Sequence, residues 1–203
     1  MSKTTTYIIM ADGKGKRWNN YQGIEKHFAE VKGEPIIERT IRLVKKLDPS
    51  AKIIVTSHNP KYEFEGVRRY EPLNNELEID RFTFELIDKG VCFLYGDTYY
   101  TKKALRKIVK KSNDSLLFFG TLEKIVALKV NNKKEMITHV QQVRQLYLEG
   151  KISKCIGWHL YQSFEGLSFK KIQIKDHFVL FEDKTHDFNT PQDYKSFIRT
   201  YFK

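Results

Sequence analysis

The chain has 203 residues, a formal net charge of +11, 40% hydrophobic and 13% aromatic residues and two cysteines; this excludes intrinsic disorder and a disulfide scaffold and is most simply one domain over 1–203. The longest apolar runs, such as Ser115-Leu116-Leu117-Phe118-Phe119, are too short for a bilayer-crossing helix, and no charged start precedes a long apolar stretch. Neither membrane insertion nor a signal peptide is therefore expected, and the cytoplasm is the expected compartment.

Tyr7-Ile8-Ile9-Met10 is a buried-strand run that delivers the loop Ala11-Asp12-Gly13-Lys14-Gly15-Lys16-Arg17 to a sheet edge. Two glycines allow close backbone approach and an anion nest, and Lys14, Lys16, Arg17 and the nearby Lys26 add positive charge. Such a loop suits a polyphosphate, although Gly-x-Gly alone also describes a solvated basic loop. Trp18 stands where a Rossmann fingerprint needs its third glycine, and Arg17 where a Walker loop needs Ser or Thr. Arg17 and Lys26 are both expected on exposed loop.

Residues 28–32 read as a short strand and 32–35 as a turn. Pro35 opens a helix with Ile37, Ile41, Val44 and Leu47 on one face, and 52–57 is a β-branched strand. Residues 58–76 are polar, with a short strand at 67–70. Helical spacing of Ile79, Phe82, Leu86 and Ile87 predicts a helix over 77–89, stopped by Gly90. Val91 to Tyr95 is a buried strand ending on Gly96-Asp97, and Thr101 caps a helix carrying Ala104, Leu105, Ile108 and Val109. Strands at 116–119 and 125–130, a helix at about 134–148, a short helix at 157–164, a strand at 178–181 and a final helix from Thr190-Pro191 complete the chain. Strands alternating with helices predict a three-layer α/β/α sandwich, a mostly parallel, Rossmann-like mixed sheet between two helical layers.

In such sheets ligands bind outside the carboxyl ends of the strands. The loop 11–17 lies there, as does Asp97, and Asp183 and Asp187 follow the strand 178–181. A polyphosphate loop beside carboxylates suggests magnesium, although an aspartate after a strand is also an ordinary turn or capping residue. The positive charge is spread along the chain and no nucleic-acid-binding signature is present, so a small polyanionic substrate is expected rather than nucleic acid.

Three blocks carry a family resemblance. Ala11 to Arg17 with Lys26 and Val31-Lys32-Gly33-Glu34-Pro35-Ile36-Ile37-Glu38 resembles the opening of the GT-A-fold nucleotidyltransferases, which include MobA-like NTP transferases and the sugar-phosphate and cytidylyl transferases. Leu94-Tyr95-Gly96-Asp97 resembles their metal-aspartate strand end, and Asp187-Phe188-Asn189-Thr190-Pro191-Gln192-Asp193-Tyr194 their closing motif. Asp12 replaces a small neutral residue of that pattern, and Glu25 a proline. An extra carboxylate at position 12 weakens triphosphate binding unless it points away or meets a cation.

The resemblance implies transfer of a nucleoside monophosphate from an NTP, with a lean to CTP, to a phosphorylated small-molecule acceptor, releasing pyrophosphate, in surface-polysaccharide precursor synthesis. It makes Arg17 and Lys26 catalytic, places the nucleotide on Ala11, Asp12, Gly13, Lys14, Gly15, Lys16, Arg17 and Lys26, and puts Mg2+ (or Mn2+) on Asp97 and Asp187. The polar residues Asn75, Asp80 and Arg81 are candidates for the base pocket, against an ordinary solvated helix start. A homodimer is compatible with this reading. A GT-A glycosyltransferase consuming a nucleotide-sugar is the rival enzyme, but Asp97-Thr98-Tyr99 lacks its Asp-x-Asp. A non-catalytic nucleic-acid-binding or regulatory module would explain the charge but not three blocks in order.

Overall fold

The computed structural model describes residues 4–171 and 173–202. Eleven strands form: β1 (Thr6–Met10), β2 (Glu30–Val31), β3 (Glu34–Pro35), β4 (Lys52–Thr56), β5 (Arg68–Tyr70), β6 (Val91–Tyr95), β7 (Thr98–Tyr99), β8 (Leu116–Gly120), β9 (Ile125–Val130), β10 (Phe178–Leu180) and β11 (His186–Asp187). The helices are α1 (Ile36–Leu47), α2 (Lys102–Lys110), α3 (Lys133–Leu148), α4 (Gly157–Glu165) and α5 (Pro191–Tyr201). Seven strands make one sheet in the order β10-β8-β9-β6-β1-β4-β5. Neighbouring pairs are parallel except where β9 meets β6 and β8. The architecture is the α/β sandwich expected from the alternating pattern.

Alternation along the central strands sets the layers. Tyr7 and Ile9 of β1 pack with Ile37, Ile41 and Val44 of α1 and with Ala104, Leu105 and Ile108 of α2. Ile8 and Met10 face the other way, onto Met136, Val140 and Val143 of α3 and Leu160 and Tyr161 of α4. A third, smaller core joins Trp18, Ala29, Val31 and Ile36 to Phe188 and Phe197. It fastens the chain just after the first loop to the C-terminal segment.

The helix expected over 77–89 does not form. Two 3-10 turns, Glu78–Phe82 and Phe84–Leu86, meet at Thr83, whose φ is +36°. The apolar residues still turn inward, since Ile79, Phe82 and Ile87 are buried. A right-handed helix cannot pass through a left-handed residue, so the segment folds as two short turns. The strand expected at 28–32 shortens to β2, which pairs with β3 across Lys32-Gly33. Both turn residues have positive φ, +58° and +75°, as a two-residue hairpin of matching twist needs.

Because six of the seven sheet strands run one way, β1, β4, β5 and β6 release their following loops at a single edge. The reversed β9 contributes its beginning to that edge. Gly96 lets β6 and β1 close up there, because a Cβ at that position would lie 2.7 Å from the Met10 carbonyl oxygen.

Candidate active site

Lys14, Gly15, Lys16 and Arg17 line a cleft of about 240 Å3, together with Lys26, Asn75, Glu76, Leu77, Glu78, Arg81 and Asn189. The first loop, the 75–81 segment and the closing motif thus meet at one place. Arg17 Nη2 donates to Asn189 Oδ1 at 2.8 Å, joining the first and last of the three blocks. The glycine at position 13 leaves room for Arg81, whose guanidinium would lie 3.3 Å from a Cβ there. Gly15 has φ +56°, and its carbonyl accepts from the N–H groups of Trp18 and Asn19. The loop therefore closes as a compact turn with its cations on the cleft side.

Lys26 departs from expectation, being buried rather than on exposed loop. Its ammonium contacts the carboxylate of Asp97, which is also buried. Burial pushes the Asp97 carboxyl up, but the Lys26 and Arg81 charges and the Lys26 hydrogen bond outweigh it and hold the group below the usual carboxylate range. His27 is pushed down to about 3 by burial and the adjacent Lys26 charge, so it is neutral. Below them, Glu25 accepts from Asn59 Nδ2 and from the Tyr62 hydroxyl, both at 2.5 Å. Tyr62 has one hydroxyl proton, so His27 Nδ1, 2.6 Å away, donates to the Tyr62 oxygen. Glu25 is thus a strut behind Lys26, which explains how a carboxylate is accommodated beside the loop.

Asp187 stands across from Thr98 in the β7–β11 pair, and Phe188 N donates to the Asp97 carbonyl at 2.8 Å. Asp97 and Asp187 therefore rise from adjacent backbone positions. Asn189 Nδ2 donates to one Asp187 oxygen, and Lys124 Nζ lies against the other. That second oxygen, Oδ1, is buried against the Lys124 ammonium. Two neighbouring carboxylates, each held by a lysine ammonium, are hard oxygen donors of the kind that suits a divalent cation such as magnesium. Among the described residues no cluster of three His, Cys, Asp or Glu accompanies them.

The closing motif presents these groups through its own geometry. Phe188 is fully buried, Pro191 opens α5, and Thr190 and Asp193 form a reciprocal cap. Asp193 Oδ2 also accepts from Asn189 N at 3.1 Å, fixing the residue that touches both Arg17 and Asp187.

Not every candidate reaches the cleft. Asp80 turns away from it: its carboxylate accepts from Leu77 N at 2.9 Å and pairs with Arg144 at 3.2 Å. Ala11 is buried under the loop. Asp12 accepts from His58 N and Nδ1 at 2.9 and 2.8 Å and from Asn75 Nδ2 at 2.8 Å. Asp183 caps, accepting from the Thr101 hydroxyl at 2.6 Å and Thr185 N at 2.9 Å. Lys124 was not among the sequence candidates, since a residue preceding a parallel strand would lie at the opposite edge.

No family model matches the chain, and no curated protein matches it by sequence. Its fold is that of solved nucleotidyltransferases. The CTP:phosphocholine cytidylyltransferase of Streptococcus pneumoniae superposes with a TM-score of 0.63 at 14% identity, over 98% of this chain and 99% of that one. The 4-diphosphocytidyl-2C-methyl-D-erythritol synthase of Anaerococcus prevotii gives 0.59 at 15% identity, over 99% of each chain. A UDP-glucose pyrophosphorylase complexed with UDP-glucose gives 0.62 at 9% identity, over 98% and 99%.

Proposed function

We propose that the protein is a nucleotidyltransferase that moves a nucleoside monophosphate from an NTP to a phosphorylated small-molecule acceptor and releases pyrophosphate. The observation that carries this reading is the convergence of the Lys14–Arg17 loop, Lys26 and Arg81 on one cleft beside buried Asp97. An acceptor phosphate is already an anionic nucleophile, so no general base is required. The site's task is to align two anions and offset the charge that develops at the α-phosphorus.

The backbone of Gly13 and Gly15, with Arg17, is assigned to the β- and γ-phosphates. Lys26 is assigned to the α-phosphate, where it would exchange part of its hold on Asp97 for phosphate oxygen. Arg81, stacked over Gly13, adds positive charge to the same cleft. Asp97 and Asp187 would hold magnesium or manganese, which supplies charge neutralisation for the phosphates when bound. Asn189 keeps Asp187 and Arg17 in register across the cleft. CTP is the preferred donor in this reading, in surface-polysaccharide precursor synthesis; two of the similar folds are cytidylyl enzymes by name. The test is incubation with each NTP and magnesium across a panel of phosphorylated acceptors, with pyrophosphate as the readout. No pyrophosphate from any pair overturns the proposal.

A further inference from the structure

Asp12, one of the two residues that depart from the resembling pattern, has its side chain committed within the protein. Oδ1 accepts from the His58 backbone N–H at 2.9 Å, and Oδ2 from His58 Nδ1 at 2.8 Å, which ties it to the end of β4. Oδ2 also accepts from Asn75 Nδ2 at 2.8 Å, and the same nitrogen donates to the Asp12 backbone carbonyl. Both atoms facing that end of the Asn75 side chain are acceptors only. The NH2 group must therefore lie there, with each of its hydrogens used. Both side-chain hydrogen bonds of Asn75 run through Nδ2, so the polar atom it has left for the cleft it lines is Oδ1, a pure acceptor.

We propose that Asp12 is a positioning residue that locks Asn75 as an acceptor and thereby selects nucleotides whose base carries an amino group where cytosine has N4 and adenine N6. This rests on the nucleotide-transfer reading above. Cytosine and adenine offer an N–H to Asn75 Oδ1. Uracil and hypoxanthine place a carbonyl at the corresponding position, leaving two acceptors face to face and neither satisfied. Asn75 cannot rotate to suit them without breaking both bonds to Asp12, and Asp12 is itself fastened twice to His58.

The experiment is calorimetric titration of the full chain, with magnesium, against the pairs CTP/UTP and ATP/ITP, which differ at this group. Whichever ring size the cleft admits, the amino member should bind roughly ten- to a hundredfold tighter. Asp12→Ala removes the side-chain acceptor and leaves only the backbone carbonyl at position 12 to hold the amide, so that ratio should fall. A role in loop stability alone would weaken both members equally and leave the ratio intact. Asn75→Ala should collapse the ratio in the same way, and it decides the matter if Asp12→Ala does not fold. Equal or tighter binding of the carbonyl member by the wild type overturns the inference and leaves triphosphate binding standing. A ratio kept in soluble Asp12→Ala overturns the role of Asp12. Failure of the wild type to bind any of the four overturns the inference, while the nucleotide-transfer reading stands or falls on pyrophosphate release with each NTP.

Discussion

The Lys26 ammonium and the Asp97 carboxylate contact each other with each side chain only 8% exposed, although 71 residues separate them in sequence. A buried pair of this kind has a characteristic energetic asymmetry. Removing one partner strands the other charge in a poorly solvated place, at about 3–5 kcal/mol, whereas replacing both with apolar groups can be nearly neutral. Lys26→Met should therefore destabilise the fold by about that amount. The double variant Lys26→Met/Asp97→Leu should lose less than the sum of its singles in urea unfolding. Additive losses would mean that the two charges do not compensate each other. Both variants should also lose turnover, so unfolding and activity must be measured together.

Arg17 is the opposite case. It is exposed, and its contact to Asn189 reaches across the cleft rather than into the core. Arg17→Ala should leave the melting temperature near that of the wild type and reduce turnover on the order of a hundred- to a thousandfold, the usual cost of one charge-stabilising donor. Wild-type turnover in this variant would remove Arg17 from the phosphate site.

His27 gives a pH signature to stability. In the unfolded chain it takes a proton near 6.5, but in the fold burial first, and then the Lys26 charge, holds it down to about 3. Between those values the unfolded state binds the extra proton, so stability is fully present above pH 6.5 and declines on acidification. The contribution is about 1.4 kcal/mol per pH unit for one such proton. His27→Gln should be less stable at pH 7, having lost the Tyr62 contact, yet show a shallower decline between pH 6.5 and 5. Parallel profiles for the two proteins would assign the acid sensitivity elsewhere.

The sequence was informative where a local rule had a single structural outcome. The faces of α1 and α2, the strand β6 leading to Gly96-Asp97, and the Thr190-Pro191 start of α5 follow from periodicity and capping. The segment 77–89 misled because Ile79, Phe82 and Leu86 have the same spacing in a helix and in two 3-10 turns, and nothing local announces a left-handed Thr83. Lys124 was invisible for a different reason. Only the antiparallel direction of β9, a property of the assembled sheet, brings the residue before it to the active edge. The burial of Lys26 and the turning of Asp12 onto His58 likewise depend on partners far along the chain. The loop's glycines and cations could be read; which of them face a ligand could not.

Asp97 and Asp187 each have a lysine ammonium against the carboxylate. Antiparallel pairing of β7 with β11 puts Asp187 beside Thr98, so the two carboxylates share one edge of the site. Each is compensated by an ammonium, Lys26 on Asp97 and Lys124 on Asp187. A triphosphate entering this cleft brings further negative charge and competes for the same lysines, which leaves the carboxylates undercompensated. Productive nucleotide binding should then require magnesium or manganese, and chelation with EDTA should abolish both turnover and the thermal shift produced by an NTP. Asp97→Asn and Asp187→Asn should each nearly abolish turnover, and the double variant should be little worse than either, because each alone removes the same ion. Lys124→Met separates this from a simple lysine clamp. It frees Asp187 without removing a carboxylate, so the metal requirement should persist in it and turnover should fall less than in Asp187→Asn. Magnesium-independent turnover in the wild type, or a double aspartate variant far below both singles, would show that the two carboxylates act separately.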